Sequence, residues 1–337
     1  MVTTLTAAKT TRHAANILCN TMAIAYTLIG YVTGVGLLLA ANGWLNGLGV
    51  FLLTHSLIYS AYLTHEFMHG TIWRSRRRNA RFGQLMGWLN GACYYGFKAL
   101  TVQHIQHHSD RVDFYRFNIP ATVQQLPRWL KYTVLALEWC YFPVVAFWTR
   151  WRSVYLLWKN APYAKLRRRL AMVLAVRLAF FVVLGWLSLK ALLLYGVAYI
   201  GMITVLRWAD AFQHTYEGFP LGSILPYRPP HYEQANTFSN LISRRYVGLN
   251  LLLLNFGYHS AHHADMTCPW HSLPQLDQRL AATGVSNYIS LVDQLVNYHR
   301  FRVKRLLLGQ GTVEPDQAKP GFERFYGAID VSFITLY

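Results

Sequence analysis

Four apolar segments, at residues 16–40, 44–62, 170–187 and 189–206, restrict this chain more than any other feature of its sequence. A helix needs about 20 apolar residues to cross a bilayer. Within hydrocarbon every backbone polar group must find its partner internally, which a helix achieves. Residues 41–43 separate the first two segments and Ser188 the last two, so each pair predicts a helical hairpin that crosses and returns. Charged residues make up only 14% of the 337, against about 25% in soluble domains. The chain therefore reads as an all-α integral membrane protein, a single domain over residues 1–308 followed by a tail at 309–337.

Basic residues orient the hairpins. Arg74, Arg76, Arg77, Arg78 and Arg81 follow the second segment, Lys165, Arg167, Arg168 and Arg169 precede the third, and Arg207 ends the fourth. The hairpin tips carry Lys190 alone. The excess of Lys and Arg on one side predicts that both termini and both long blocks, about 65–168 and 207–308, are cytoplasmic. A net charge of +18 raises the possibility of nucleic-acid binding. The position of these charges beside apolar spans assigns them instead to anionic lipid headgroups, and they also offer a surface to an acidic electron-transfer partner. The first apolar run is too long for a cleavable signal peptide. Cys19, Cys93, Cys140 and Cys268 form no C-x-x-C pair and read as packing residues in a reducing compartment.

Between the hairpins, residues 82–100 are apolar but broken by four glycines and read as a buried or interfacial segment. Residues 129–158 mix ten aromatic residues with basic ones, which suits helices lying in the headgroup layer. Glu138 and Pro143 argue against a fifth span over 132–147. Residues 220–230 read as a Pro-rich loop. The apolar stretch 249–254 is too short to span and is expected to be a helix against the functional site. The polar tail at 309–337 carries no readable chemistry.

Histidines carry the chemistry. His65 and His69 form an H-x-x-x-H pair, while His104, His107 and His108, and again His259, His262 and His263, form H-x-x-H-H triplets; His214 stands alone. On a helix, positions i, i+3 and i+4 share a face, so each group presents its imidazoles together. Imidazole is the commonest metal ligand. Nine imidazoles exceed the about four to six ligands that one ion takes, so the number points to two ions. His13, His231, His271 and His299 read as surface or hydrogen-bonded residues. His55, within an apolar segment, is the one other candidate, because intramembrane ionisable groups are functional by default.

The series HEFMH, HIQHH and NFGYHSAHH resembles the three histidine boxes of the integral-membrane fatty acid desaturase superfamily, which also holds hydroxylases and carotenoid ketolases. His69-Gly70, Ser109-Asp110-x-x-Asp113, Phe212-Gln213-His214-Thr215 and Pro269-Trp270-x-x-Leu273-Pro274 support the resemblance, which runs from about residue 40 to 280. The H-x-x-x-H spacing is that of acyl-lipid desaturases and carotenoid-modifying enzymes. The resemblance implies two iron ions held by His65, His69, His104, His107, His108, His214, His259, His262 and His263 in a cytoplasmic helical cap. With dioxygen as co-substrate, they would remove hydrogen from a lipid acyl chain. Asp210, Asn255 and Asp265 are implied to support the ligands, and Glu66 and Asp110 either orient imidazoles or face solvent. The chain has no haem-binding His-Pro-Gly-Gly motif, so reductant is expected from a separate ferredoxin or cytochrome b5.

Two rival readings use the same residues. His65-Glu66-Phe67-Met68-His69 is literally the H-E-x-x-H zinc-protease motif with Glu as general base, but catalytic zinc needs only three protein ligands and the other seven histidines are left over. A metal transporter would need polar groups inside the spans, where His55 and Arg177 are nearly the only ones. Within the superfamily, desaturation is favoured by the contexts of His214 and of Pro269-Trp270. Hydroxylation or ketolation of a lipid or carotenoid stays open.

Overall fold

A computed structural model describes residues 2–115, 118–160, 164–220, 222–284, 287–310, 314–315, 320–321, 325–331 and 333–334; the side chains of 2–16, including His13, and of 314–315 and 320–321 lie outside the description. The chain is mostly helical. Its described strands are two short pairs: β1 (Asp113–Tyr115) runs parallel to β2 (Gly218–Pro220), and β3 (Glu314–Pro315) antiparallel to β4 (Pro320–Gly321).

Four described helices are long and apolar enough to cross a membrane. The first two are α1 (Val2–Leu38, apolar from Ile17) and α2 (Gly43–His69). Asn42 caps α2, accepting from Trp44 N at 2.8 Å. Asn46 Nδ2 reaches back to the last carbonyls of α1, Leu37 O at 2.9 Å and Leu38 O at 3.2 Å. Glycines then let the two backbones close up in antiparallel register: a Cβ on Gly34 would lie 3.0 Å from Leu53 N, and one on Gly49 would lie 3.0 Å from Gly34 O. Small residues at such crossings are the usual means of helix packing in lipid, where apolar burial gives no drive.

The second pair is α8 (Ala164–Leu187) and α9 (Leu189–Asp210), joined at Ser188, whose hydroxyl caps α9 by accepting from Ala191 N at 3.1 Å. Lys190, the lone charge at the tips, donates to Ala40 O at 2.7 Å and ties the two pairs together. Deeper in, Thr54 Oγ1 donates to Ala198 O at 3.3 Å and Tyr31 and Tyr195 share a hydroxyl contact at 3.1 Å. The helices outrun the apolar segments. Helix α2 continues past residue 62 to His69, and α9 past 206 to Asp210, because protein packed around their ends keeps the backbone helical beyond the apolar stretch. His65 and His69 thus sit on the spanning helix itself rather than beyond it.

Between the pairs lie α3 (Arg76–Asn90), α4 (Phe97–Asp110), α5 (Ile119–Gln125), α6 (Arg128–Trp139) and α7 (Val144–Lys159). Arginines hold the buried turn that joins α3 to α4: Arg177 Nη1 donates to Trp88 O at 2.7 Å and Arg169 to Cys93 O at 2.6 Å and Tyr94 O at 3.0 Å. Cations at a helix C-terminus complement its dipole, which gives the intramembrane Arg177 a structural role. Helices α6 and α7 meet at 116°, so 132–147 is not one straight crossing. Glu138, just before the bend, is buried; it accepts from Val145 N at 2.8 Å and pairs with Arg207 at 2.9 Å. His55 is likewise absorbed into packing, with Tyr26 Oη 2.5 Å from its Nδ1 and Leu252 O 3.0 Å from its Nε2. The stretch around Leu252 is a 3-10 helix, Val247–Leu253, where a packed helix was expected.

The last blocks are α10 (Pro230–Ala235), α11 (His259–Ala264), α12 (Leu273–Ala282), α13 (Leu291–Phe301) and α14 (Lys304–Leu308). The described part of the C-terminal stretch is no detached polar tail, which corrects the sequence expectation. Phe325, Val331, Phe333 and Ile334 are buried, the last three in the main core with Leu57, Tyr62 and Phe256. Their apolar run is too short for a periodicity signal, and the polar residues before it masked it. All four cysteines are free; Cys93 and Cys268 are buried as expected of packing residues, whereas Cys140, at the exposed end of α6, is not.

Removing one partner of a buried ion pair leaves the other charge uncompensated, at a cost of about 3–5 kcal/mol. Glu138→Ala should accordingly lower the thermal midpoint of the detergent-purified protein sharply. A midpoint within a degree or two of wild type would show that Arg207 finds compensation elsewhere.

Candidate metal centre

The four helices deliver histidines to one place. Helix α2 ends with His65 and His69, α4 carries His104, His107 and His108, α11 carries His259, His262 and His263, and His214 follows the end of α9 in a bridge with Thr237. All nine expected residues come together, and they sort into two sets. His65, His69, His104, His108 and His262 each bring one ring nitrogen within 4.8 Å of the others, as do His107, His214 and His263. His259 joins the second set, its Nε2 lying 2.7 Å from Nε2 of His214. The two triplets are divided between the sets. Along α4, His104 and His108 face one way and His107 the other; on α11, consecutive His262 and His263 part company.

Contacts within the sets are nitrogen to nitrogen. His69 Nε2 lies 2.8 Å from His104 Nε2, His108 Nε2 3.2 Å from His104 Nε2 and 3.3 Å from His262 Nε2, and His107 Nε2 3.2 Å from His214 Nε2. Facing imidazole nitrogens share at most one proton per pair, and no protein group partners either nitrogen of His65 or Nε2 of His263. Ligands on one ion at about 2.1 Å stand about 3 Å apart when adjacent and about 4.2 Å when opposite. The group of five and the trio His107, His214 and His263 fit that geometry, with donors that suit transition metals, and His259 stands beside the trio through its contact with His214.

Burial, and then the charges of neighbouring imidazoles, holds His104, His108, His214, His259 and His263 well below the ordinary histidine value of 6.5, and takes His262 down to about 3. The rings are therefore neutral at physiological pH, the form that ligates metal.

Carboxylates stand behind the imidazoles, on Nδ1. Asp113 Oδ1 is 3.2 Å from His107 Nδ1, which also lies 3.0 Å from Val112 O. Glu233 Oε1 is 2.9 Å from His263 Nδ1, and its other oxygen accepts from Arg111 Nε at 2.9 Å. Glu66 Oε1 is 3.4 Å from His65 Nδ1, its other oxygen accepting from Thr71 Oγ1 at 2.7 Å and Trp270 N at 3.2 Å. The hydrogen bonds of Glu233 to His263 and of Val112 O to His107 fix the tautomer that aims Nε2 inward and raise ligand basicity. Glu66 is buried, one oxygen engaged by Thr71 and Trp270, and seven further histidines gather at the site where catalytic zinc needs only three protein ligands in all.

Of the three expected supporting residues, Asp210 borders the cavity beside His214 and His259. Asn255, at a positive φ of 58°, donates to Trp270 O at 3.1 Å rather than to an imidazole. Asp265 is exposed at the end of α11, where its Oδ1 accepts from Thr267 N at 3.0 Å. Asp113, not Asp110, is the acid that reaches an imidazole. Glu233 escaped the sequence reading: it lies on the short helix α10 with no motif spacing, and the scarcity of acids (14 in the chain) was the one available signal. Among the described residues it is also the only carboxylate that joins a possible ligand group, with His108 and His263.

A cavity of about 180 Å3 opens on the imidazoles of His104, His107, His214 and His259, walled by Phe114, Phe256 and Phe333. A second, of about 700 Å3, adjoins it through shared Tyr115, Ile119, Gln310 and Ile329.

The fatty acid desaturase family model matches residues 42–293, and the chain belongs to that family. It is thus a membrane-embedded, desaturase-like oxidoreductase whose histidine cluster could hold metal. No curated protein matches the chain.

Glu233→Ala should weaken metal retention by about 10–100-fold, measured as metal per chain after graded chelation; unchanged retention would show that Arg111 and Glu233 merely pack there. The lowered imidazole values also set a pH dependence for metal-stripped protein. The unfolded chain takes up protons below about 6.5 while the folded one does not, so stability falls as pH drops through that value, by up to about 1.4 kcal/mol per pH unit for each histidine. Thermal midpoints should be level above pH 7 and fall steeply from 6.5 to 5.5. A flat profile would contradict neutral burial.

Proposed function

We propose that this protein is an oxygen-dependent, non-haem di-iron enzyme that introduces a double bond into a fatty acyl chain. The observation that carries this reading is the convergence of nine imidazoles, in two sets, on an aromatic-walled cavity at the end of apolar helices in a chain of the desaturase family. In this reading His65, His69, His104, His108 and His262 hold one iron, and His107, His214, His259 and His263 the other. The iron pair supplies dioxygen activation and removal of hydrogen from an unactivated C–H bond.

The chain's own residues do the rest. Glu233 accepts the Nδ1 proton of His263 and Val112 O that of His107, and so they direct Nε2 to the metal, while Asp113 and Glu66 lie beside His107 and His65. Phe114, Phe256 and Phe333 keep water from the cavity and hold an apolar chain against its histidine floor. Asp210, Asn255 and Asp265 belong to the surroundings rather than the ligand set. The basic flanks of the helices support a cytoplasmic histidine end and cytoplasmic termini, within reach of a separate ferredoxin or cytochrome b5 that would deliver electrons. The acyl chain arrives from the bilayer.

Metal analysis of purified protein tests the first part: two irons per chain are expected, whereas one zinc or no metal sinks the proposal. Expression in a desaturase-negative host, with lipid profiling by mass spectrometry, tests the second. New double bonds are expected; new hydroxyl or keto groups would shift the assignment to the alternative, a hydroxylase or ketolase of a lipid or carotenoid. His214→Ala should lose at least one iron and nearly all activity, and full retention of both would remove His214 from the ligand set.

A further inference from the structure

The family match ends at residue 293, yet residues beyond it build part of the cavity: Gln310, Ile329, Asp330 and Phe333 line it together with the histidines. They are fastened firmly. Ala328 N donates to Ala211 O at 2.7 Å, Arg207 Nε to Ile329 O at 2.9 Å and Thr149 Oγ1 to Asp330 Oδ2 at 2.7 Å, while Gln310 Nε2 donates to His214 O. Gly327, at φ 81°, allows the approach, because a Cβ there would lie 2.9 Å from Ala211 O.

Their order along the cavity is informative. Gln310 and Ile329 stand at the neck shared with the larger outer cavity. Phe333 lines the histidine cavity and not the outer one. It is 1% exposed, with its ring 5.4 Å from His65, 6.4 Å from His104 and 5.3 Å from Phe256. A rigid ring closing an apolar tunnel beside the reacting centre limits how far a chain can enter. A single methylene gained or refused in such a pocket changes selectivity about 10–200-fold.

We propose that Phe333 is the specificity-determining residue of this site: its ring ends the acyl pocket and sets which carbon of the chain lies against the imidazoles. This rests on the acyl-oxidation reading above. The test is to express wild type, Phe333→Ala and Phe333→Leu in the desaturase-negative host. Iron per chain, the position of the new functional group and the ratio of long-chain to short-chain products are then measured. With iron retained, Phe333→Ala should move the ratio at least tenfold toward longer chains or shift the position, and Phe333→Leu should fall between it and wild type. A structural role alone would lower yield without changing the product distribution. If Phe333→Ala fails to fold, Phe333→Leu, which keeps an apolar side chain against Phe256, decides the matter. An active wild type whose iron-loaded variants give unchanged position and ratio overturns the proposal alone. A wild type that yields neither double bonds nor hydroxyl or keto groups overturns the acyl reading, and the proposal with it.

Discussion

The structure turns on keeping nine imidazoles dry and close together. Burying polar nitrogens without partners is costly, and crowding them makes protonation costlier still. Only something that satisfies many lone pairs at once makes the arrangement favourable, and cations do so. The rest of the architecture meets that requirement. Apolar helices carry the first pair and His214 to a common level, α4 and α11 bring the triplets, and aromatic rings from distant parts of the chain exclude water around them.

A second ring of interactions gives the cluster its direction. Asp113, Glu233 and Glu66 stand behind imidazoles of three different elements, each held in turn by a further donor or by the backbone. In a chain this poor in acids, the placement of three behind imidazoles is a substantial share of all the negative charge available. Arginines elsewhere serve the frame: buried Arg177 and half-buried Arg169 hold the turn after α3, and buried Arg207 links Glu138 to the C-terminal segment that closes the cavity. The membrane part and the histidine part are thus coupled mechanically through Arg207, which belongs to both.

Much of this was legible in the sequence. Four apolar runs and their basic flanks predicted the helices, because bilayer thickness and backbone satisfaction leave few alternatives. Histidine spacing predicted the cluster, because a helix converts spacing into a face. What escaped shares one cause. Glu233 reaches His263 from the six-residue helix α10, Phe333 reaches the cavity from a segment after several polar residues, and neither so short a helix nor a chain reversal leaves a periodic mark. The 3-10 form of 247–253 escaped for a related reason, since a six-residue apolar run does not distinguish helix types.

Composition and spacing alone determined that this chain would lie in a membrane and gather imidazoles in numbers suited to two ions, since both follow from local rules of hydrophobicity and helical period. Which histidine belongs to which set was decided only by the tertiary structure. His104 and His108 separate from His107, and His262 from its neighbour His263, because two sets meet along one seam and the rings on either side of it turn to opposite partners. The inner wall of the cavity was decided there too, because it is made by residues that are remote in the chain and meet only when it closes.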